Sequence, residues 1–285
     1  MGSSEEEEEE EEAAVDPRVR RAEGRMARAV AEHAGVRTLV DAVRGCLPEV
    51  DSGMFQARVC GSSLAAAPGT VGGGFVPPGP RGEPAEVVVC AETLDGQRAV
   101  DALLVHELVH AYDHCHGVAF AAADLAAEAA TASSSSTASS SSSSGRVWSG
   151  PGAGVARPAM AWDDLRAHAC SEIRAARLSG DCRPLEELRR GNWATGALSD
   201  EDNVECIKRR ATLSVAINPA ASPSLGPGGR ADPAGAGRVA REAVEAAFPA
   251  CYPDTAPFPA PAPGRAFPHA PSPPWYWDPR DWRAA

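Results

Sequence analysis

Residues 103–117 read LLVHELVHAYDHCHG. Within them His106, Glu107 and His110 form the pattern H-E-x-x-H. The pattern has chemical meaning only on a helix, where side chains four residues apart lie one turn apart on the same face. His106 and His110 can then chelate one zinc ion, and Glu107 stands where it can take a proton from a water at the metal and pass it to a leaving amine. The surroundings favour a helix from about Leu94 to His116. Val100, Leu103, Leu104, Leu108 and Ala111 recur at three- and four-residue spacing, and Gly117 is placed to end the run. The bland alternative is a pair of core histidines.

A catalytic zinc wants three protein ligands and one open position. His114 is eight residues from His106, about 12 Å along a straight helix, which is too far for one ion. It is expected at the surface or behind a ligand. Asp113 is placed to orient a ligand or hold a buried hydrogen bond. The third ligand should come from another element. A second helix is expected from about Trp162 to Ser179, with a stripe of Trp162, Leu165, Ala169, Ile173 and Ala176 and a stop at Gly180. Off that stripe lie His168 and Glu172, four residues apart. Glu172 is preferred as the metal ligand, since it would complete a His₂Glu site. The competing reading makes Glu172 a salt-bridge partner of Arg174, Arg177 or a third helix.

The rest of the chain supplies a frame. The fragment EVVVC, residues 86–90, is the best strand. Residues 17–45 look helical, with Val30, His33, Ala34 and Leu39 on an imperfect apolar stripe. Residues 61–85 are rich in Gly and Pro and are expected as loop. A third helix is expected after Ser199, where Ser199 and Asp202 resemble a capping box and Val204, Ile207, Ala211 and Val215 mark its buried face. A fourth spans roughly 238–248. Residues 118–160, with a serine run, read as a low-complexity insertion, and 256–285 as a Pro/Trp-rich flexible tail. The domain itself is expected over 17–255.

Charge narrows the partners. The formal net charge is −12, but eight of these charges are Glu5 to Glu12, which leaves −4 for the remainder. Residues 1–16 therefore read as a solvated acidic tail. A general nucleic-acid binder would show a basic face, so no direct nucleic-acid partner is expected. No run of eighteen apolar residues exists to span a membrane. The start fits neither a secretory signal nor an acid-poor presequence, and Glu6 breaks a myristoylation pattern. The cysteines are Cys46, Cys60, Cys90, Cys115, Cys170, Cys182, Cys206 and Cys251, none of them in C-x-x-C. Such spread suits long-range disulfides in an oxidising compartment or, equally, buried free thiols.

Taken together, HELVHAYDHC, RAHACSEIRAARLSGDC, ECIKRRATLSVAINP and FPACYPDTAPF closely resemble the mitochondrial inner-membrane metalloprotease family of ATP synthase assembly, which includes the Ku-binding protein. GGGFVPPGPRGEPAEVVVC resembles the family's Gly-Gly-aromatic loop leading into a strand and cysteine. The chain departs from the family pattern at Ala220 and Ala221, where a cysteine commonly follows Asn-Pro, and at His116, where arginine is common.

The resemblance implies a zinc-dependent metalloendopeptidase with an α+β, zincin-like fold, mostly helical with a small sheet and held by disulfides. It implies a peripheral position on the intermembrane-space side of the inner membrane. It also implies a protein substrate, the precursor of an ATP synthase membrane subunit, and a role in assembly. The alternative is a non-proteolytic assembly factor, or a nuclear Ku-binding adaptor, with a structural zinc. Glu107 speaks against that alternative, because structural zinc needs no general base.

Overall fold

The computed structural model describes residues 16–51, 53–61, 72–93, 96–118, 160–183, 186–187, 200–221 and 233–259. The acidic run, the serine-rich stretch, Ser199 of the expected capping box and the chain beyond 259 lie outside the described residues. The architecture is α+β, with six α-helices and one three-stranded sheet among the described residues.

The region 17–45 is two helices, α1 (Pro17–Glu32) and α2 (Ala34–Val43), rather than one. The break is at His33, which adopts extended backbone and whose Nδ1 accepts the Val36 N–H at 3.2 Å. His33 is therefore a helix cap and not part of an apolar stripe. Asp16 caps α1, with Pro17 at the first helical position, where its missing N–H costs nothing.

Strand β1 (Phe55–Arg58) runs parallel to β3 (Glu86–Cys90), and β2 (Gly73–Val76) runs antiparallel to it, in the order β1-β3-β2. The expected strand EVVVC is thus the central one, which explains its three valines. Strand β2 corrects the expectation of loop over 61–85. Two glycines conceal it, and at Gly73 the reason is contact: a Cβ there would stand 2.2 Å from the Val88 carbonyl oxygen and 3.0 Å from Leu103.

Helix α3 (Gln97–His116) follows, starting three residues later than expected, after Gly96. Its apolar face, with Val100, Leu104 and Leu108, joins Leu39, Val43, Met54, Val87 and Val89 in a first core. Helices α4 (Leu165–Ser179), α5 (Asp200–Ala216) and α6 (Pro233–Cys251) enclose a second core around Ile173, Ile207, Val215 and Val244. Alanines at 169, 211, 240 and 247 let these helices approach closely. Helix α4 is buried on every side from Ala167 to Ser179, because α3 covers one flank and α5 and α6 the other. Asp164 caps its start and Gly180, at φ 77°, takes the left-handed conformation at its end. Helix α6 exceeds the expected 238–248 in both directions. Pro233 occupies its first turn, where proline is tolerated.

All eight cysteines pair: Cys46–Cys115, Cys60–Cys90, Cys170–Cys251 and Cys182–Cys206. The packed chain also continues past residue 255, where the tail was expected to begin. Phe258 is buried in the first core, and the Ala256 carbonyl accepts a hydrogen bond from Arg174.

Candidate metal centre

Helix α3 presents His106 and His110 one turn apart toward α4, and α4 meets them with Glu172. His106 Nε2 is 3.6 Å from Glu172 Oε2, and His110 Nε2 is 3.4 Å from Glu172 Oε1. One donor atom from each of the three residues lies within 4.8 Å of the others, a grouping that could hold a metal ion. His114, farther along α3, does not belong to that group. Its Nδ1 accepts the Trp162 indole N–H at 3.3 Å, and it lies beside Phe75. Asp113 orients no ligand; it forms an ion pair with Arg174. Nor does Glu172 pair with an arginine. Its carboxylate faces three histidines, and Ser214 of α5 donates to its Oε1.

Each of the two α3 histidines has a polar neighbour at its far nitrogen. His110 Nδ1 is 2.7 Å from Ser171 Oγ. His106 Nδ1 is 3.1 Å from Asp181 Oδ2, the same oxygen that receives Arg210 at 3.1 Å. These contacts turn both Nε2 atoms toward Glu172. Sequence reasoning missed Ser171, Asp181 and Arg210, because nothing in the spacing of residues on three separate elements announces that they meet. Trp162 was placed on an apolar stripe. It does pack against the second core, and its ring also stands 5.9 Å from that of His110 and 5.7 Å from that of His168, walling the site.

Burial sets the charges. It pushes Glu107 up to about 7, with the charges of Glu172 and Asp181 adding to the effect and His106 opposing it. It pushes His110 down to about 3, so this imidazole is neutral near pH 7. Burial also works against a charge on His106, but Asp181 and Glu172 outweigh it and hold its pKa well above the ordinary value. Glu172, buried too, is held well below the usual carboxylate range by the histidines around it.

Glu107 takes no part in the donor cluster. It lies near enough to the backbone N–H of Phe75 in β2 for that dipole to favour the ionised carboxylate. The Cys90 N–H bonds to the Gly72 carbonyl in the β2–β3 register, so the next hydrogen-bonded pair is Gly74 with Val88, and Gly73 and Phe75 direct their backbone groups away from β3. The free edge of β2 therefore runs beside Glu107.

Comparison with known proteins shows the family. The chain is 31% identical over 198 residues to a protein of Mycosarcoma maydis named "Mitochondrial inner membrane protease ATP23", covering 68% of this chain and 64% of that one. A relative of the same name in Kluyveromyces lactis is 41% identical over 97 residues, 34% of each chain. One in Aspergillus fumigatus is 29% identical over 225 residues, covering 78% of this chain and 65% of the relative. The chain thus spans less than two thirds of the length of these relatives. No solved structure matches it. The profile of the Peptidase M76 family matches residues 20–147 and 155–259, on both sides of the α3–α4 contact, and the chain belongs to that family.

Proposed function

We propose that the protein is a zinc-dependent metalloendopeptidase in which His106, His110 and Glu172 hold the metal and Glu107 is the general base. The observation that carries this reading is the convergence of two imidazole nitrogens and one carboxylate, with a second buried carboxylate, Glu107, outside the cluster. The donor set suits zinc. Bonds of about 2.0–2.2 Å in a tetrahedral site put ligand atoms about 3.3–3.6 Å apart; His106 Nε2 is 3.6 Å from Glu172 Oε2, and one donor atom from each of the three residues lies within 4.8 Å of the others. Zinc supplies Lewis acidity, which makes water a nucleophile near neutral pH and polarises a carbonyl.

The protein's own groups do the rest. Glu107 accepts the water's proton and later donates it to the departing amine. The free edge of β2 offers the backbone groups of Gly73 and Phe75 to an extended peptide, which would pair as an added strand. That places a scissile bond next to Glu107 and favours an unfolded segment as substrate.

The relatives' name places them at the mitochondrial inner membrane. Among the described residues no helix is long and apolar enough to cross a membrane. We therefore read the protein as peripheral, on the intermembrane-space side, where four disulfides are compatible with the redox environment. Its substrate would be the precursor of an ATP synthase membrane subunit, whose assembly it would also assist. Purified protein should contain one zinc per chain and cleave a peptide spanning the precursor's processing site, whereas Glu107→Gln should keep the zinc and lose the cleavage. Cleavage by Glu107→Gln at the wild-type rate would sink this reading.

A further inference from the structure

His168 lies at the site but is not in the donor cluster, and Asn218 explains why. The Asn218 side chain makes three contacts. Its Oδ1 accepts the Ala220 N–H at 2.9 Å. Its Nδ2 faces the Trp162 carbonyl at 2.9 Å and His168 Nδ1 at 2.8 Å. These contacts fix the orientation of the amide, since the flipped form would set its NH₂ against the Ala220 N–H and its oxygen against the Trp162 carbonyl. The group facing His168 is therefore a donor, and Nδ1 of the imidazole must accept. That puts the imidazole proton on Nε2, which lies 3.3 Å from Glu172 Oε1. His168 has no lone pair left to offer a cation: one is used by Asn218, and the other nitrogen carries hydrogen.

We infer that His168 and Asn218 are positioning residues that anchor Glu172 by one oxygen and leave the other for the metal. This rests on the reading of Glu172 as a ligand. Oε1 receives the Ser214 hydroxyl and lies 3.3 Å from His168 Nε2. Oε2 faces His106 Nε2. A glutamate side chain has three rotatable bonds, and two neighbours on Oε1 select the orientation that points Oε2 at His106, with His110 Nε2 3.4 Å from Oε1. His168 is 9% exposed and is packed by Trp162, so water cannot replace its hydrogen bond cheaply.

The test uses the purified full chain and zinc affinity measured by chelator competition, with the melting temperature of the zinc-free protein as a control for folding. His168→Leu should weaken zinc binding about 10–100-fold, the usual cost of losing a partner that orients a ligand. His168→Gln, whose amide N–H can stand where Nε2–H stood, should stay within about threefold of wild type. Asn218→Leu, at a half-buried position, should weaken binding about 3–10-fold. The double variant His168→Leu/Asn218→Leu should be no worse than His168→Leu alone, because both act through one hydrogen bond.

Wild-type affinity in His168→Leu overturns the inference, as do equal losses in the Leu and Gln variants, which would mark a packing role. If His168→Leu does not fold, Asn218→Leu decides: unchanged zinc affinity there overturns the inference. Glu172→Ala separates the two levels. A large loss there, with none in His168→Leu, sinks the positioning role alone. Unchanged affinity in Glu172→Ala removes the ligand assignment and this inference with it.

Discussion

Arg174 and Glu172 stand two residues apart on α4, both buried against α3, in surroundings of opposite character. Arg174 forms ion pairs with Asp113, lies 3.5 Å from Asp254, donates to the Ala256 carbonyl and stands over the Tyr112 ring. Its charge is answered by protein anions and acceptors. Glu172 meets three imidazoles instead. Of these, His110 is neutral near pH 7 and His168 turns an N–H to the carboxylate. The two α3 histidines facing Glu172 have Ser171 and Asp181 at their far nitrogens. Around Arg174 the protein closes its own electrostatics, which suits a joint between the two cores. Around Glu172 it collects electron-pair donors at one point, which suits a cation. Burial alone does not distinguish these roles; the sign and saturation of the neighbours do.

Substitutions can break this contrast. The largest effect should come from Glu107→Gln, with peptide hydrolysis falling by up to about 10⁴-fold while zinc content and melting temperature stay at wild-type values. Arg174→Met should be structural in the opposite sense. It strands Asp113 as a buried uncompensated charge and should cost about 3–5 kcal/mol in chemical denaturation. Adding Asp113→Leu should recover much of that loss. Zinc affinity of the folded fraction should change little in either variant, and a tenfold fall would mean that the two clusters are coupled.

Opening the disulfide that ties α4 to α6, by Cys170→Ala with Cys251→Ala, should cost about 2–4 kcal/mol, since it closes a long loop. Thiol counting under denaturing, non-reducing conditions should find no free cysteine in native wild-type protein. The smallest effect belongs to His114→Ala. It loses one hydrogen bond from Trp162, worth about 1 kcal/mol, and should leave zinc affinity nearly intact. Stripping of the metal by this substitution would return His114 to the ligand set.

The H-E-x-x-H helix was legible because one periodicity carries both its apolar face and its chemistry. Positions 106 and 110 share a side, and rise per residue excludes 114, whatever the rest of the chain does. EVVVC was legible because a central strand that buries Val87 and Val89 and half-buries Val88 favours a run of β-branched residues. Glu172 could be nominated on the same helical logic, from its place off the α4 stripe. That logic missed that α4 has no exposed side. A periodic stripe reports one neighbour, and α4 has three.

What joined the site was decided in three dimensions. Asp181 lies just past α4, Ser214 and Asn218 lie in or just past α5, and Phe75 lies in a strand whose two glycines hide it. None is spaced from His106 or Glu107 by any local repeat, since their proximity follows from how α4, α5 and β2 pack around α3. The sequence by itself determined the H-E-x-x-H helix, the central strand and the supply of cysteines, because helical and strand periods are properties of a few consecutive residues. Only the tertiary structure decided which cysteines pair, which buried carboxylate meets histidines rather than arginine, and which strand edge faces Glu107. These depend on contacts between residues tens of positions apart, and no local period encodes them.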